Sequence, residues 1–235
     1  MFVPLHDDNP LRSIRWPWVT ILLIAANVIV YGLEVTGQGQ VVSASFAIIP
    51  NELFQVRIFG GAARGPNDAL PVPEAVTLIT YMFLHGDLLH LGANMLFLWV
   101  FGDNVEDAMG HLKFILFYAL CGIAGALAHA VMAVDRTIPL IGASGAVAGC
   151  IAAYLLLHPH VRVWVLAFRV IPLRIPASLA LGAWIATQFV MLLLPDTGPV
   201  AWWAHIGGIF AGALLILVLR RPDVQLLDRP PPTSA

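Results

Sequence analysis

Six apolar runs dominate the chain, at about 16–33, 88–105, 114–134, 144–157, 178–194 and 201–219, separated by polar or Gly- and Pro-containing segments. A helix needs ~20 mostly apolar residues, with a range of about 17–25, to cross a bilayer. Six spanning helices are therefore expected. The fourth run is short. It opens at Ser144 and meets Pro159 after a rise of only ~22 Å, against a hydrocarbon core ~30 Å thick. If Pro159 marks one membrane surface, Ser144 lies below the other. The preceding stretch DRTIPLIGA (135–143) then re-enters the bilayer. Non-helical backbone at that depth is tolerated only where protein buries it or where it lines water.

The segment 34–74 breaks the pattern differently. It is long and rich in Gly and Pro, yet carries the apolar patches SFAIIP (45–50) and FQVRIF (54–59). A loop of that length is usually functional or disordered. Its apolar patches predict that it packs on, or dips into, the membrane interface.

Composition agrees with the spans. Of 235 residues 59% are hydrophobic and 11% charged, whereas a soluble domain has roughly 45–50% apolar and about 25% charged residues. Lipid must act as solvent for much of this surface. The net charge of -2 suggests no nucleic-acid partner. Cys121 and Cys150 lie in apolar stretches and read as unpaired core thiols. The opening MFVPLHDDNPLRSIR lacks a cleavage site before the first apolar run, so that run is expected to be an uncleaved anchor.

Lys and Arg set the expected orientation. With the N-terminus in the cytoplasm, Arg12, Arg15, Lys113, Arg162, Arg169, Arg174, Arg220, Arg221 and Arg229 fall inside, and Arg57, Arg64 and Arg136 outside. Both termini are expected in the cytoplasm, in a multi-pass protein of a cell membrane, the bacterial inner membrane being the expected one. The implied organisation is a cytoplasmic N-terminus (1–15), one membrane domain (16–220) and a disordered cytoplasmic tail (221–235).

Polar groups inside spans are costly and default to functional hypotheses. His85, His90 and Asn94 form the first cluster, with His90 and Asn94 one helical turn apart on one face. Gly142, Ser144 and Gly145 form the second, at the mouth of the short helix. His205, Gly208 and Gly212 form the third and share a face. Small residues let membrane helices approach closely. The fourth and sixth helices can then pack backbone to backbone and bring a serine hydroxyl near an imidazole. A serine is a weak nucleophile until a base takes its proton. His205 can be that base, and later the acid that protonates the leaving amine. Asp87, Asp103 and Asp107 fall elsewhere, so a dyad is expected rather than a triad. Donors for the oxyanion are available from Asn94, His90 and the backbone N–H of Ser144.

Plainer readings compete. A Ser beside Gly in a membrane helix is usually packing, and a His near a helix end is often interfacial. His85 and His90 could bind metal, but no third ligand has fitting spacing. His111, His129, His158 and His160 read as loop or helix-end residues. Glu106 reads as a hydrogen-bond anchor for neighbouring loops rather than a water-facing acid. The pentapeptide LPDTG (194–198) fits a wall-sorting pattern, but it falls between two helices with no ectodomain before it, and its turn chemistry explains it.

Together these residues resemble the rhomboid family of intramembrane serine proteases, over about 77–212. His85-x4-His90-x3-Asn94 looks like its second-helix motif, and Gly142-x-Ser144-Gly145 its nucleophile motif. Ala204-His205-x2-Gly208-x3-Gly212 looks like its sixth-helix motif, and Gly102-x3-Glu106 its second-loop anchor. The resemblance implies an all-α polytopic membrane protein, a six-helix bundle with a short fourth helix and a long first loop. It implies Ser144 as nucleophile, His205 as base, His90 and Asn94 at the oxyanion site, and structural roles for His85, Glu106, Gly142, Gly145, Gly208 and Gly212. Neither metal nor cofactor is implied. The implied partners are the lipid bilayer and transmembrane protein substrates, cut near the outer face at small residues. Two positions depart from the family. Ala148 stands where a Tyr often stacks on the histidine, so an aromatic of the fifth or sixth helix is expected to hold His205. Val76 and Thr77 stand where a Trp-Arg pair is often found. A non-catalytic relative that binds membrane helices is the alternative function; a small transporter would need repeats that the chain lacks.

Overall fold

The structure, a computed structural model, describes residues 2–38, 44–55, 70, 72–167, 170–194 and 200–228. The first apolar run forms α1 (Trp18–Leu33), which continues into a π-helical turn (Glu34–Gln38). Two short helices follow, α2 (Pro50–Gln55) and α3 (Glu74–Thr80). The second run is one continuous rod: α4 (Leu88–Phe97), a π-helical turn (Leu98–Gly102) and α5 (Asp103–Met109), with helical dihedrals at both joins. It extends beyond the expected end at 105. The remaining helices are α6 (His111–Met132), α7 (Ser144–Leu157), α8 (Ala177–Leu193) and α9 (Trp202–Leu219). All six expected spans are helical among the described residues. Three stretches, Trp18–Thr36, His111–Met132 and Trp202–Leu219, are long and apolar enough to cross a membrane on their own. The fourth helix begins at Ser144, as the sequence predicts.

Glycines decide how the centre packs. A Cβ on Gly208 of α9 would run into the carbonyl oxygen of Gly145 on α7, and one on Gly212 into that of Gly149. On the neighbouring face of α9, a Cβ on Gly207 would lie 2.6 Å from the Ala124 carbonyl oxygen of α6. One on Gly125 would lie 2.6 Å from that of Ala204. The α6, α7 and α9 backbones therefore touch with no side chain between them. Water-driven burial does not pull helices together in lipid, so close packing of this kind must do it. Cys121 and Cys150 are both free and buried in this centre.

A small antiparallel sheet, which the all-helical expectation did not include, closes one end. Strand β1 (Val3–Asp7) pairs with β2 (Arg162–Ala167), and β2 with β3 (Ile171–Pro176). Val163 and Val165 are buried while Arg162 and Trp164 are exposed, the alternation of a strand with one face on the core. At the same end, Leu227 and Asp228 donate backbone N–H bonds to the carbonyls of Leu156 and Leu157, the last of α7. Those carbonyls have no partner further along their own helix. Arg12 pairs with Asp228 at 2.8 Å. Residues 221–228, expected as part of a disordered tail, are thus tied to the bundle; 229–235 lie outside the described residues, as do most of LPDTG and of FQVRIF. The N-terminal strand, the hairpin and the C-terminal segment share one end of the molecule.

Two adjacent carboxylates on α5 secure the entry to α1. Buried Glu106 accepts bonds from Val19 N (3.0 Å), Thr20 N (2.8 Å) and Thr20 Oγ1 (2.7 Å), capping the orphan donors of the first turn of α1. It also meets the His111 ring. Asp107 accepts from the backbone N–H groups of Arg12, Ser13 and Ile14 at 2.7–3.0 Å.

Two outcomes are expected from this packing. Gly208→Ala places a methyl against a backbone carbonyl that cannot rotate away, and should cost ~3 kcal/mol or more, read as a lower unfolding midpoint in detergent. The second concerns Asp7, whose carboxyl accepts a bond from Tyr154 beneath the sheet. Burial raises it from 3.8 to about 6, outweighing the lowering effect of that bond and of His6. The folded state therefore holds the Asp7 proton more tightly than the unfolded chain. Its contribution to stability is greatest below about pH 4 and is lost as pH rises through about 6, by roughly 3 kcal/mol at most. Asp7→Asn should flatten that part of the pH–stability curve.

Candidate active site

The end of α7 opposite the sheet holds the expected chemistry. The stretch before it divides: Asp135–Pro139 are exposed, and only its last part, Leu140, Gly142 and Ala143, is buried in protein. Leu140 bridges to Ile48 through paired backbone bonds of 2.7 and 3.1 Å, and Leu140, Ala143 and Ile48 are all buried. Gly142 donates its N–H to the Tyr81 carbonyl at 2.9 Å, and Tyr81 donates its hydroxyl to the Gly122 carbonyl at 2.7 Å. At Gly142 the chain turns with φ +116°, a region that L side chains rarely adopt. The next helix starts two residues on. Half-buried Ser144 is its first residue, so its backbone N–H has no carbonyl one turn earlier to bond.

Three other helices converge here. From α4, the His90 ring lies over Gly142, where a Cβ would come within 2.7 Å of Cε1 and 2.8 Å of Nε2; Asn94 Nδ2 is 3.9 Å from the same point. Asn94 is buried and its Nδ2 lies 3.1 Å from His85 Nε2, which spends one amide hydrogen and leaves the other. The His85 and His90 rings meet edge to face, 5.0 Å apart. Asp87 caps α4 by accepting from His90 N at 2.8 Å. From α9, the backbone before His205 presses on α7: the Ala204 carbonyl is 3.3 Å from where a Gly145 Cβ would be. The immediate neighbours of Ser144 and His205 are thus in contact. From α8, Gln188 Oε1 lies 2.8 Å from His205 Nδ1. His205 and Gln188 are both buried.

The rhomboid domain model matches residues 72–222, well over half of the chain. The chain belongs to the rhomboid family. It is 32% identical over 149 residues to "Rhomboid protein 1, mitochondrial" of Saccharomyces cerevisiae, covering 61% of this chain and 41% of the yeast protein. It is also 32% identical over 149 residues to "Rhomboid protease GluP" of Bacillus subtilis, covering 63% of this chain and 28% of that one. "Rhomboid-related protein 3" of Homo sapiens is 28% identical over 156 residues, or 64% of this chain and 38% of the human protein. The chain thus matches under half the length of these relatives. Family membership puts this rhomboid in a membrane. Because relatives include mitochondrial as well as bacterial proteins, it does not select the bacterial inner membrane.

The sequence-derived residues divide by position. Gly142, Ser144, Gly145, His85, His90, Asn94, His205 and Gly208 gather at one end of the bundle, with Gly212 a turn deeper. Glu106 is remote from them, at the far end of the α4–α5 rod, where it caps α1. Ala148 carries no ring. Instead the Trp202 ring stands perpendicular to His205 at 5.8 Å and the Trp184 ring tilts over it at 6.0 Å. The aromatic expected from the fifth or sixth helix is supplied by both. Sequence reasoning missed Gln188. Its signal was available, since an amide within an apolar span has to find partners. Among the described residues no group of three or more His, Cys, Asp or Glu side chains could hold a metal ion.

The tight placement of Gly142 gives a direct test. Gly142→Ala adds both an unfavourable backbone conformation and a methyl in the space of the His90 ring. It should abolish labelling of Ser144 by a fluorophosphonate while circular dichroism still reports a helical protein.

Proposed function

We propose that this rhomboid is a serine endopeptidase that cuts transmembrane segments of membrane proteins, with Ser144 as nucleophile and His205 as general base. The observation that carries the reading is the glycine seam of α7 and α9. It brings the backbone beside Ser144 against the backbone beside His205, while the His90 and Asn94 side chains lie against Gly142, two residues before Ser144. Ser144 Oγ attacks the scissile carbonyl and gives its proton to His205 Nε2. The negative oxygen that forms is met by the Ser144 backbone N–H, the remaining Asn94 amide hydrogen and His90. One such donor is worth ~2.7–4 kcal/mol in the transition state. Collapse expels the amine, protonated by His205, and water then releases the acyl group by the same relay. His85 positions Asn94.

The orientation proposed is the one in which the sheet end faces the cytoplasm. That end carries Arg12, Arg162, Arg174, Arg220 and Arg221, in keeping with the positive-inside bias. The site then opens toward the outer leaflet, and both chain ends are cytoplasmic. Residues 16–220 act as one membrane domain.

The test uses the full chain in lipid vesicles with a single-span substrate. Ser144→Ala and His205→Ala should each lower cleavage by at least two orders of magnitude, with unfolding midpoints near that of the parent. Cleavage should also decline in acid, because a protonated imidazole cannot accept the serine proton. Retained cleavage in either variant removes the mechanism. Absence of fluorophosphonate labelling in the parent would favour the non-catalytic helix binder.

A further inference from the structure

The environment of His205 contains a device that the dyad alone does not need. Gln188 sits on α8, where the buried positions are Ala177, Ala180, Leu181 and Gln188 itself. Every polar atom of its amide is engaged. Nε2 donates to the Trp184 carbonyl at 2.8 Å and to Thr187 Oγ1 at 3.1 Å. The Thr187 hydroxyl donates in turn to the same carbonyl at 2.6 Å, which leaves its lone pair for Nε2. A backbone carbonyl only accepts, so the amide nitrogen must face it and the amide oxygen must face His205. That oxygen only accepts as well. The His205 nitrogen 2.8 Å away must therefore carry the hydrogen. In a neutral imidazole the other nitrogen, Nε2, is then a bare acceptor.

We propose that Gln188 is a positioning residue for the reaction: its side-chain oxygen, fixed in direction by Trp184 and Thr187, holds His205 in the Nδ1–H tautomer and so keeps Nε2 free to take the Ser144 proton. The inference rests on the reading of Ser144 and His205 as the reacting pair. Gln188 performs without charge the task that a carboxylate performs in a triad. A neutral acceptor suits a site walled by membrane helices, where an added buried carboxylate would be costly. Trp184 contributes twice, through its carbonyl to Gln188 and through its ring to His205. His90, facing from α4, is the titratable group that acts electrostatically on His205; Gln188 on α8 is uncharged.

The alternative is that Gln188 simply fastens α8 to α9. Acylation of Ser144 by a fluorophosphonate, measured against pH in the full chain, separates the two. Gln188→Leu keeps the size and removes the acceptor. Acylation near neutral pH should slow by roughly 10- to 100-fold with unchanged substrate KM, and nitrogen-15 spectra of labelled histidine should show His205 leaving the pure Nδ1–H tautomer. Gln188→Glu restores an acceptor and adds negative charge. It should recover most of the rate and move the acid limb of the profile upward by about one pH unit or more. If the Leu variant does not fold, Gln188→Met, of similar length and without a strong acceptor, takes its place, since a fastening role predicts a parental rate and tautomer in any variant that folds. Parental rate, acid limb and spectrum in Gln188→Leu, or an unmoved limb in Gln188→Glu, overturns the proposal while Ser144→Ala and His205→Ala stay inactive. Acylation surviving in His205→Ala overturns the dyad, and the proposal with it.

Discussion

The structure depends on one contact: the bare backbones of α7 and α9 meeting through Gly145 and Gly208, and again through Gly149 and Gly212. In lipid, apolar side chains gain little by meeting each other, because hydrocarbon tails serve them equally well. Close approach must come from surfaces that fit without side chains. The seam therefore holds the bundle together and also fixes the distance between the two helices that carry Ser144 and His205. On the proposed mechanism, a bulkier seam would move Ser144 away from His205. Under that proposal, stability and chemistry draw on the same backbone contacts.

The two ends of the bundle solve opposite problems. At the sheet end, helix termini need partners, and the chain supplies them from far away in sequence. Glu106 caps α1 and Asp107 gathers the residues leading into it, while the C-terminal segment takes the last carbonyls of α7. At the other end a terminus is left open on purpose. The first turn of α7 begins behind the buried Leu140, Gly142 and Ala143, and its first N–H groups have no carbonyl of their own helix to bond. The short helix that looked anomalous as a span is what sets the depth of that terminus.

Much of this was legible in the sequence, for identifiable reasons. Apolar runs and their polar interruptions report on the solvent around a helix, so the helices and the early start at Ser144 followed from position, while the joining of His90, Asn94 and His205 needed the small-residue faces and the family resemblance. The sheet was lost because β1 is five residues long and its partner strand lies in a loop between spans, where hydropathy reports little. The alternation Arg162, Val163, Trp164, Val165 was there to be read. The packed C-terminal segment was lost because its bonds are made by backbone atoms, which leave no side-chain signature. Glu106 was expected to serve loops and in fact caps a helix, a distinction that needs the partner's coordinates.

Gln188 shows a different limit. Read along its own helix it is one amide among apolar residues, and periodicity says only that it should face inward. Its direction comes from an acceptor, the Trp184 carbonyl, that belongs to every residue type and so carries no sequence information. Yet the physical constraint is strict. A buried amide in hydrocarbon surroundings must satisfy two hydrogens and an oxygen, and here the hydrogens go to the Trp184 carbonyl and to Thr187 Oγ1. The oxygen can be satisfied only by a donor, and His205 becomes one by carrying its proton on Nδ1. The arrangement that leaves no polar atom unpaired is the same one that leaves Nε2 basic. Hydrogen-bond satisfaction thus selects the Nδ1–H tautomer of His205, the one the proposed mechanism requires, without any charged third residue.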